Sequence, residues 1–206
     1  MKDQRVFKRK MFHCSFFTIS FCFLFFPLLL IPHENYSPVN ALSVDLINTT
    51  CKQCADKSTL INYDFCLTSL QPIPISHIVN LQGLALIAME LALENATDTI
   101  SSIEEMLSSG QFDTFALECL KDCLELYGDS VPMLVNSIGA FLFEEYDAAS
   151  LLLSAVMETM LTCEDGFGEK GEVSPLTEEN CSLMQLGDIA LCIINLLSIA
   201  LDSKFS

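Results

Sequence analysis

From Leu81 to Ala200, apolar residues recur at steps of three and four, and almost nothing alternates with the two-residue period of a strand. The cleanest stripe is Leu117, Leu120, Leu124, Tyr127, Val131, Leu134, Ile138 and Phe141. A second runs through Leu81, Ala85, Ala88, Ala92, Asn95, Thr99, Ile103 and Met106, a third through Leu152, Val156, Met160 and Cys163. The last comprises Leu183, Leu186, Ala190, Ile193, Leu197 and Ala200. Four such amphipathic stripes bury one another best as an all-α four-helix bundle.

The breaks are short, which makes sequential helices antiparallel neighbours, up-down-up-down. Pro72, Pro74 and Ser76 precede the first long helix, with Ser76 expected as its N-cap. Ser108-Ser109-Gly110 closes it, and Asp113 caps the second. Glu144 to Asp147 forms a tight polar turn. Gly166, Gly168 and Gly171 end the third helix, and Ser174-Pro175 opens the fourth. Pro132 lies inside the second stripe and removes a helical hydrogen bond, so a kink or break is expected there.

Residues 1–41 are set apart from this pattern. Lys2, Arg5, Lys8, Arg9 and Lys10 precede a strongly apolar run, and Val39-Asn40-Ala41 supplies small residues for cleavage. That is the layout of a secretory signal, leaving 42–206 as one mature domain. No later segment is expected to span a bilayer, because the best candidate, Leu84 to Leu93, is short and holds Glu90. The whole chain has 10 basic and 27 acidic residues; removing five basic and two acidic ones with the leader leaves 5 against 25, a net charge of −20. Such a surface repels nucleic acid and anionic lipid and favours basic partners.

Eight cysteines remain after Cys14 and Cys22 leave with the leader: Cys51, Cys54, Cys66, Cys119, Cys123, Cys163, Cys181 and Cys192. An oxidising compartment makes disulfides the default. Cys192 stands in Leu191-Cys192-Ile193-Ile194 and is expected to be a buried free thiol acting as a small hydrophobe. Asn48, Asn95 and Asn180 begin glycosylation sequons, usable only on a secreted chain. Val44 to Cys54 and Leu60 to Leu70 pattern as two short helices within a segment 42–72, neither long enough to be stable alone.

Catalytic chemistry finds little support. The mature chain keeps one histidine, His77, and its carboxylates scatter over helix faces. Cys51 and Cys54 have zinc-type spacing, but secreted thiols oxidise, so neither a metal nor another cofactor is expected. A binding protein is the better reading. A carrier holding a small apolar ligand in the bundle core, or a purely structural protein, is the rival class.

Local phrases narrow this further. Thr50-Cys51-Lys52, Asn62-Tyr63-Asp64-Phe65-Cys66, Ser76-His77, Leu81-Gln82-Gly83-Leu84, Asp122-Cys123, Leu126-Tyr127, Thr162-Cys163-Glu164-Asp165-Gly166-Phe167 and Val173-Ser174-Pro175 run nearly end to end. In these the mature chain resembles the plant invertase and pectin methylesterase inhibitor family, and within it the invertase-inhibitor branch that includes a plane-tree pollen allergen. The resemblance implies a helical hairpin over 42–72 closed by Cys51–Cys66 and a bundle over 73–206 tied by Cys123–Cys163. It implies a protein that is not an enzyme but inhibits one, invertase first and pectin methylesterase as the alternative, in the cell wall or vacuole. Invertase inhibitors of the family use a Pro-Lys-Phe turn, which falls here at Glu144, Glu145 and Tyr146, the expected contacts with the target. Two acids stand there in place of proline and lysine, so a carboxylate-rich pocket would resist this turn.

Overall fold

The computed structural model describes residues 45–205. The expected leader and its expected cleavage site, residues 1–41, lie outside them. Among the described residues six α-helices follow in order: α1 (Leu46–Lys57), α2 (Tyr63–Leu70), α3 (Leu81–Ser108), α4 (Thr114–Leu142), α5 (Tyr146–Gly168) and α6 (Thr177–Phe205). A 3-10 turn at Pro74–His77 sits between α2 and α3. The helices α3 to α6 form the bundle: α3 packs on α4 and α6, and α5 packs on α4 and α6. Its interior is filled by Leu84, Met89, Ile103, Leu120, Tyr127, Leu134, Leu153, Met160 and Phe167, all nearly inaccessible to solvent.

Short polar side chains start the helices by accepting the backbone N–H groups that a helix leaves unpaired in its first turn. Asp45 accepts from Asn48, Asn62 from Phe65, Asn80 from Gly83 and Asp113 from Ala116. The cap of α3 is thus Asn80 and not Ser76. Ser76 is buried inside the 3-10 turn, where Pro74 fixes the first position, and its hydroxyl finds no partner. Nor does Pro132 break α4, which runs unbroken through it. Pro132 and Gly128, whose carbonyl loses its donor, both lie on the exposed side, where water replaces the missing bond.

Gly83 allows the 3-10 turn to close onto α3. A Cβ there would lie 2.5 Å from Val79 Cβ and 2.9 Å from Val79 Cγ1. Gly83→Ala must therefore displace Val79, at a cost of about 2 kcal/mol, typical of overpacking. The expected result is a melting temperature lower by roughly 5 °C, read by circular dichroism.

The hairpin α1–α2 lies against α6, with α2 also touching α3. Neither helix is long enough to hold itself. Cys51–Cys66 joins them across 15 residues. A second bridge, Cys54–Cys192, ties α1 to α6 across 138 residues. Cys192 is therefore not a free thiol. Its apolar neighbours do place it in the core, but the core surface it meets is α1, and the two Cα atoms stand 5.7 Å apart. Polar contacts reinforce this seam: Ser58 Oγ donates to Asp188 Oδ2, and Asn62 N to Gln185 Oε1 at 2.9 Å. Cys123–Cys163 links α4 to α5. The free thiols among the described residues are Cys119, buried, and Cys181, exposed. Burial, with Asp122 next in weight, pushes the Cys119 thiol upward, so it stays protonated and unreactive.

One segment corrects the membrane expectation. Thr177–Ala200, whose most apolar 18-residue window has a mean hydropathy of 1.8, is long and apolar enough to cross a bilayer by length and composition. Here it is the core helix of the bundle, with Leu183, Ile189, Ala190, Ile193 and Ile194 fully enclosed.

Candidate interaction surface at the α4–α5 tip

The turn between α4 and α5 is set by backbone bonds that end one helix abruptly. Glu144 N donates to Phe141 O at 3.0 Å, and Glu145 N to Ala140 O at 2.9 Å. This paired pattern requires a left-handed residue just past the helix, and Glu144 takes it with φ 63°. For a residue with a Cβ that conformation costs roughly 1–2 kcal/mol. Proline, whose φ is locked near −65°, cannot stand at 144 in this turn. The absence of a proline is therefore part of how this tip is built.

The sharp reversal throws Leu142 and Phe143 outward. Phe143 is 82% exposed and Leu142 62%. Glu144 and Glu145 flank them in solvent, followed by Asp147 in the first turn of α5. Tyr146 does not project in the same way. It is half-buried, its ring 5.5 Å from that of Phe141, and its hydroxyl accepts from Gln82 Nε2 at 3.3 Å. Tyr146 thus braces the tip against the start of α3, and Phe143 is the aromatic the tip presents. Ile75 and Ile78, also exposed, precede α3 at this same end. The result is an apolar knob ringed by carboxylates.

The sequence places Glu144, Glu145 and Tyr146 together but misses Phe143, because the stripe ending at Phe141 makes the next residues look like the start of a polar turn. The only available signal was the run Phe141-Leu142-Phe143, too apolar for a solvated turn. No nucleophile stands beside a base here. His77 is exposed, with Nε2 on Gln71 O at 2.8 Å, which holds the 3-10 turn to the end of α2.

At the opposite side of the bundle a polar chain crosses the core. Tyr127 OH donates to Asn180 Oδ1 at 2.7 Å. Asn180 Nδ2 donates to Glu164 Oε1 at 2.7 Å, and Thr177 Oγ1 to Glu164 Oε2 at 3.1 Å. Burial lifts the Tyr127 hydroxyl well above the usual phenol range. Three helices, α4, α5 and α6, are pinned in register by this chain. The Asn180 side chain is 1% exposed and fully engaged in this chain.

The family description "Plant invertase/pectin methylesterase inhibitor" matches residues 45–193. A protein of Platanus acerifolia named "Putative invertase inhibitor" is 38% identical over 181 residues, covering 87% of this chain and 97% of its own length. A Platanus orientalis protein of the same name is 39% identical over 157 residues, covering 76% of this chain and 92% of its own. The crystal structure of a mutant form of a pectin methylesterase inhibitor from Arabidopsis superimposes with a TM-score of 0.61 at 22% identity, covering 73% of this chain and 95% of that one. That likeness shows the shared helical fold. The chain belongs to the plant invertase/pectin methylesterase inhibitor family.

Proposed function

We propose that this protein is a secreted inhibitor of a plant invertase, acting in the cell wall or vacuole by pressing the Phe143 knob into the mouth of the enzyme's active site. The observation that carries the reading is the knob itself: a large aromatic held 82% exposed by a turn that stores backbone strain. An aromatic so exposed is available as an anchor, and buried aromatic anchors supply much of the energy of protein interfaces. The Platanus relatives favour invertase as the target. The carboxylate ring of Glu144, Glu145 and Asp147 supports a second reading, in which a basic enzyme such as a pectin methylesterase is bound, because complementary charge speeds association.

Titrating purified acid invertase and pectin methylesterase with the oxidised protein at two salt concentrations tests both. For invertase, one-to-one inhibition is expected, and Phe143→Ala should weaken it at least tenfold, about 1.4 kcal/mol. Equal inhibition by wild type and variant would show that a helix face, and not the tip, makes the contact. Loss of inhibition of both enzymes at micromolar protein would refute the reading.

A further inference from the structure

We propose that Asn48 is the N-glycosylation site of this chain and that Asn95 and Asn180, although each begins a sequon, stay unmodified in the folded protein. The inference rests on the secretory reading, since the transferase works only on chains entering that route.

Transfer joins Asn48 Nδ2 to the anomeric carbon of an oligosaccharide carried on a lipid diphosphate. The amide gives up one hydrogen as a proton and the lipid diphosphate leaves. The transferase meets an extended chain, so burial does not restrain it. The fold does, because a bulky hydrated glycan must end in solvent.

The three asparagines differ sharply on that test. Asn180 is 1% exposed. Its Nδ2 donates to Glu164 Oε1 at 2.7 Å and approaches Cys163 Sγ at 3.5 Å, so both amide hydrogens point at protein. A sugar replacing either one would have to occupy the α4–α5–α6 core. Asn95 stands in the middle of α3, on the side of buried Ala92, Ala96 and Thr99, and its Oδ1 is enclosed without a partner. Asn95 is half-buried, so a glycan on its Nδ2 would have to leave from the edge of that buried stripe. Asn48 is exposed in the first turn of α1, and its Oδ1 accepts from Tyr63 OH at 2.9 Å. That bond orients the amide, while Nδ2 has no acceptor among the described residues. The glycan then leaves from the outside of the hairpin, away from the α4–α5 tip in sequence and free of the bundle core.

The test expresses the full chain with its own leader in a plant secretory host. Protein recovered from the medium is treated with a glycosidase that leaves aspartate at each occupied asparagine, and peptides are mapped by mass. Aspartate at 48 alone is expected. Asn48→Gln should remove the whole gel shift while keeping the helical circular dichroism of the wild type. Thr97→Ala and Ser182→Ala, which destroy the other sequons but leave Asn95 and Asn180 in place, should change nothing. Aspartate at 95 or 180, or an unmodified Asn48 in secreted protein, would overturn the proposal. Chain retained in the cell with residues 1–41 attached would instead refute the secretory reading. Repeating the mapping behind a foreign leader then decides Asn48 on the same two outcomes.

Discussion

Replacing Cys54 and Cys192 together by alanine is expected to lower the free energy of unfolding by about 4 kcal/mol. The bridge closes 138 residues, the longest loop of the three. In the loop-entropy account a loop of about 100 residues is worth roughly 4.7 kcal/mol, and one of 15 about 3. Cys123–Cys163 lies inside the larger loop and already shortens the unfolded chain, so the gain is somewhat below the single-bridge figure. The loss should be local first. Without the bridge, α1 and α2 keep the Ser58–Asp188 and Asn62–Gln185 bonds and the apolar contacts of Ile47, Ile61 and Leu70. Two helices of 12 and 8 residues are held only weakly by these. Amide exchange should therefore rise across 46–70 before the bundle melts, and the urea midpoint should fall. A loss under about 1 kcal/mol with unchanged exchange in the hairpin would show that packing, not the covalent tie, seats it.

The second large effect concerns the buried polar chain. Asn180→Ala takes one hydrogen-bond partner from the Tyr127 hydroxyl and one from the Glu164 carboxylate at once, with an expected cost of about 2–3 kcal/mol. Tyr127→Phe is the milder cut, leaving only Asn180 Oδ1 unpaired, at about 1–2 kcal/mol. The two should not add, because both break the same bond. Tyr127 also gives a pH signature. Its folded value is raised, so the neutral hydroxyl stabilises the fold fully below the unfolded value near 10. That contribution is lost as pH rises through the folded value. Wild-type unfolding free energy should fall above pH about 10, and Tyr127→Phe should flatten the part of the fall that this residue causes. Equal pH curves for both proteins would mean that the hydroxyl is not sealed from water.

Much of the bundle is legible in the sequence because its information is local. Step-of-three-and-four stripes and an acceptor such as Asp113 ahead of a helix depend only on near neighbours. What escapes are features decided by distant or spatial partners. Cys192 has the same apolar surroundings whether free or bridged, and only the approach of α1 tells the two apart. Asn180 satisfies a sequon perfectly in one dimension and is sealed by Tyr127 and Glu164 in three. Pro132 reads as a helix breaker until the facing of its turn is known; on the exposed side it is tolerated. At the tip, the aromatic of the expected contact proves to be a brace, and its neighbour Phe143 the presented ring. A left-handed residue just past α4 makes that exchange, and no pattern of polarity announces a positive φ at a glutamate.

The composition of α6 has a consequence during synthesis. A chain threaded through a translocation pore shows its segments to the bilayer before any bundle exists to receive them. Thr177–Ala200 is apolar enough to be tempted sideways into lipid. Asp188 stands half-way along it, and an aspartate at the centre of such a segment opposes insertion by about 2.5 to 3.5 kcal/mol. This is the same side chain that later takes the Ser58 hydroxyl and helps seat the hairpin. On the secretory reading, that carboxylate would hold the helix out of the bilayer until the bundle forms and then become part of the seam that locks it. Asp188→Leu should divert some of the nascent chain into the membrane, a fate that no contact in the finished bundle would reveal.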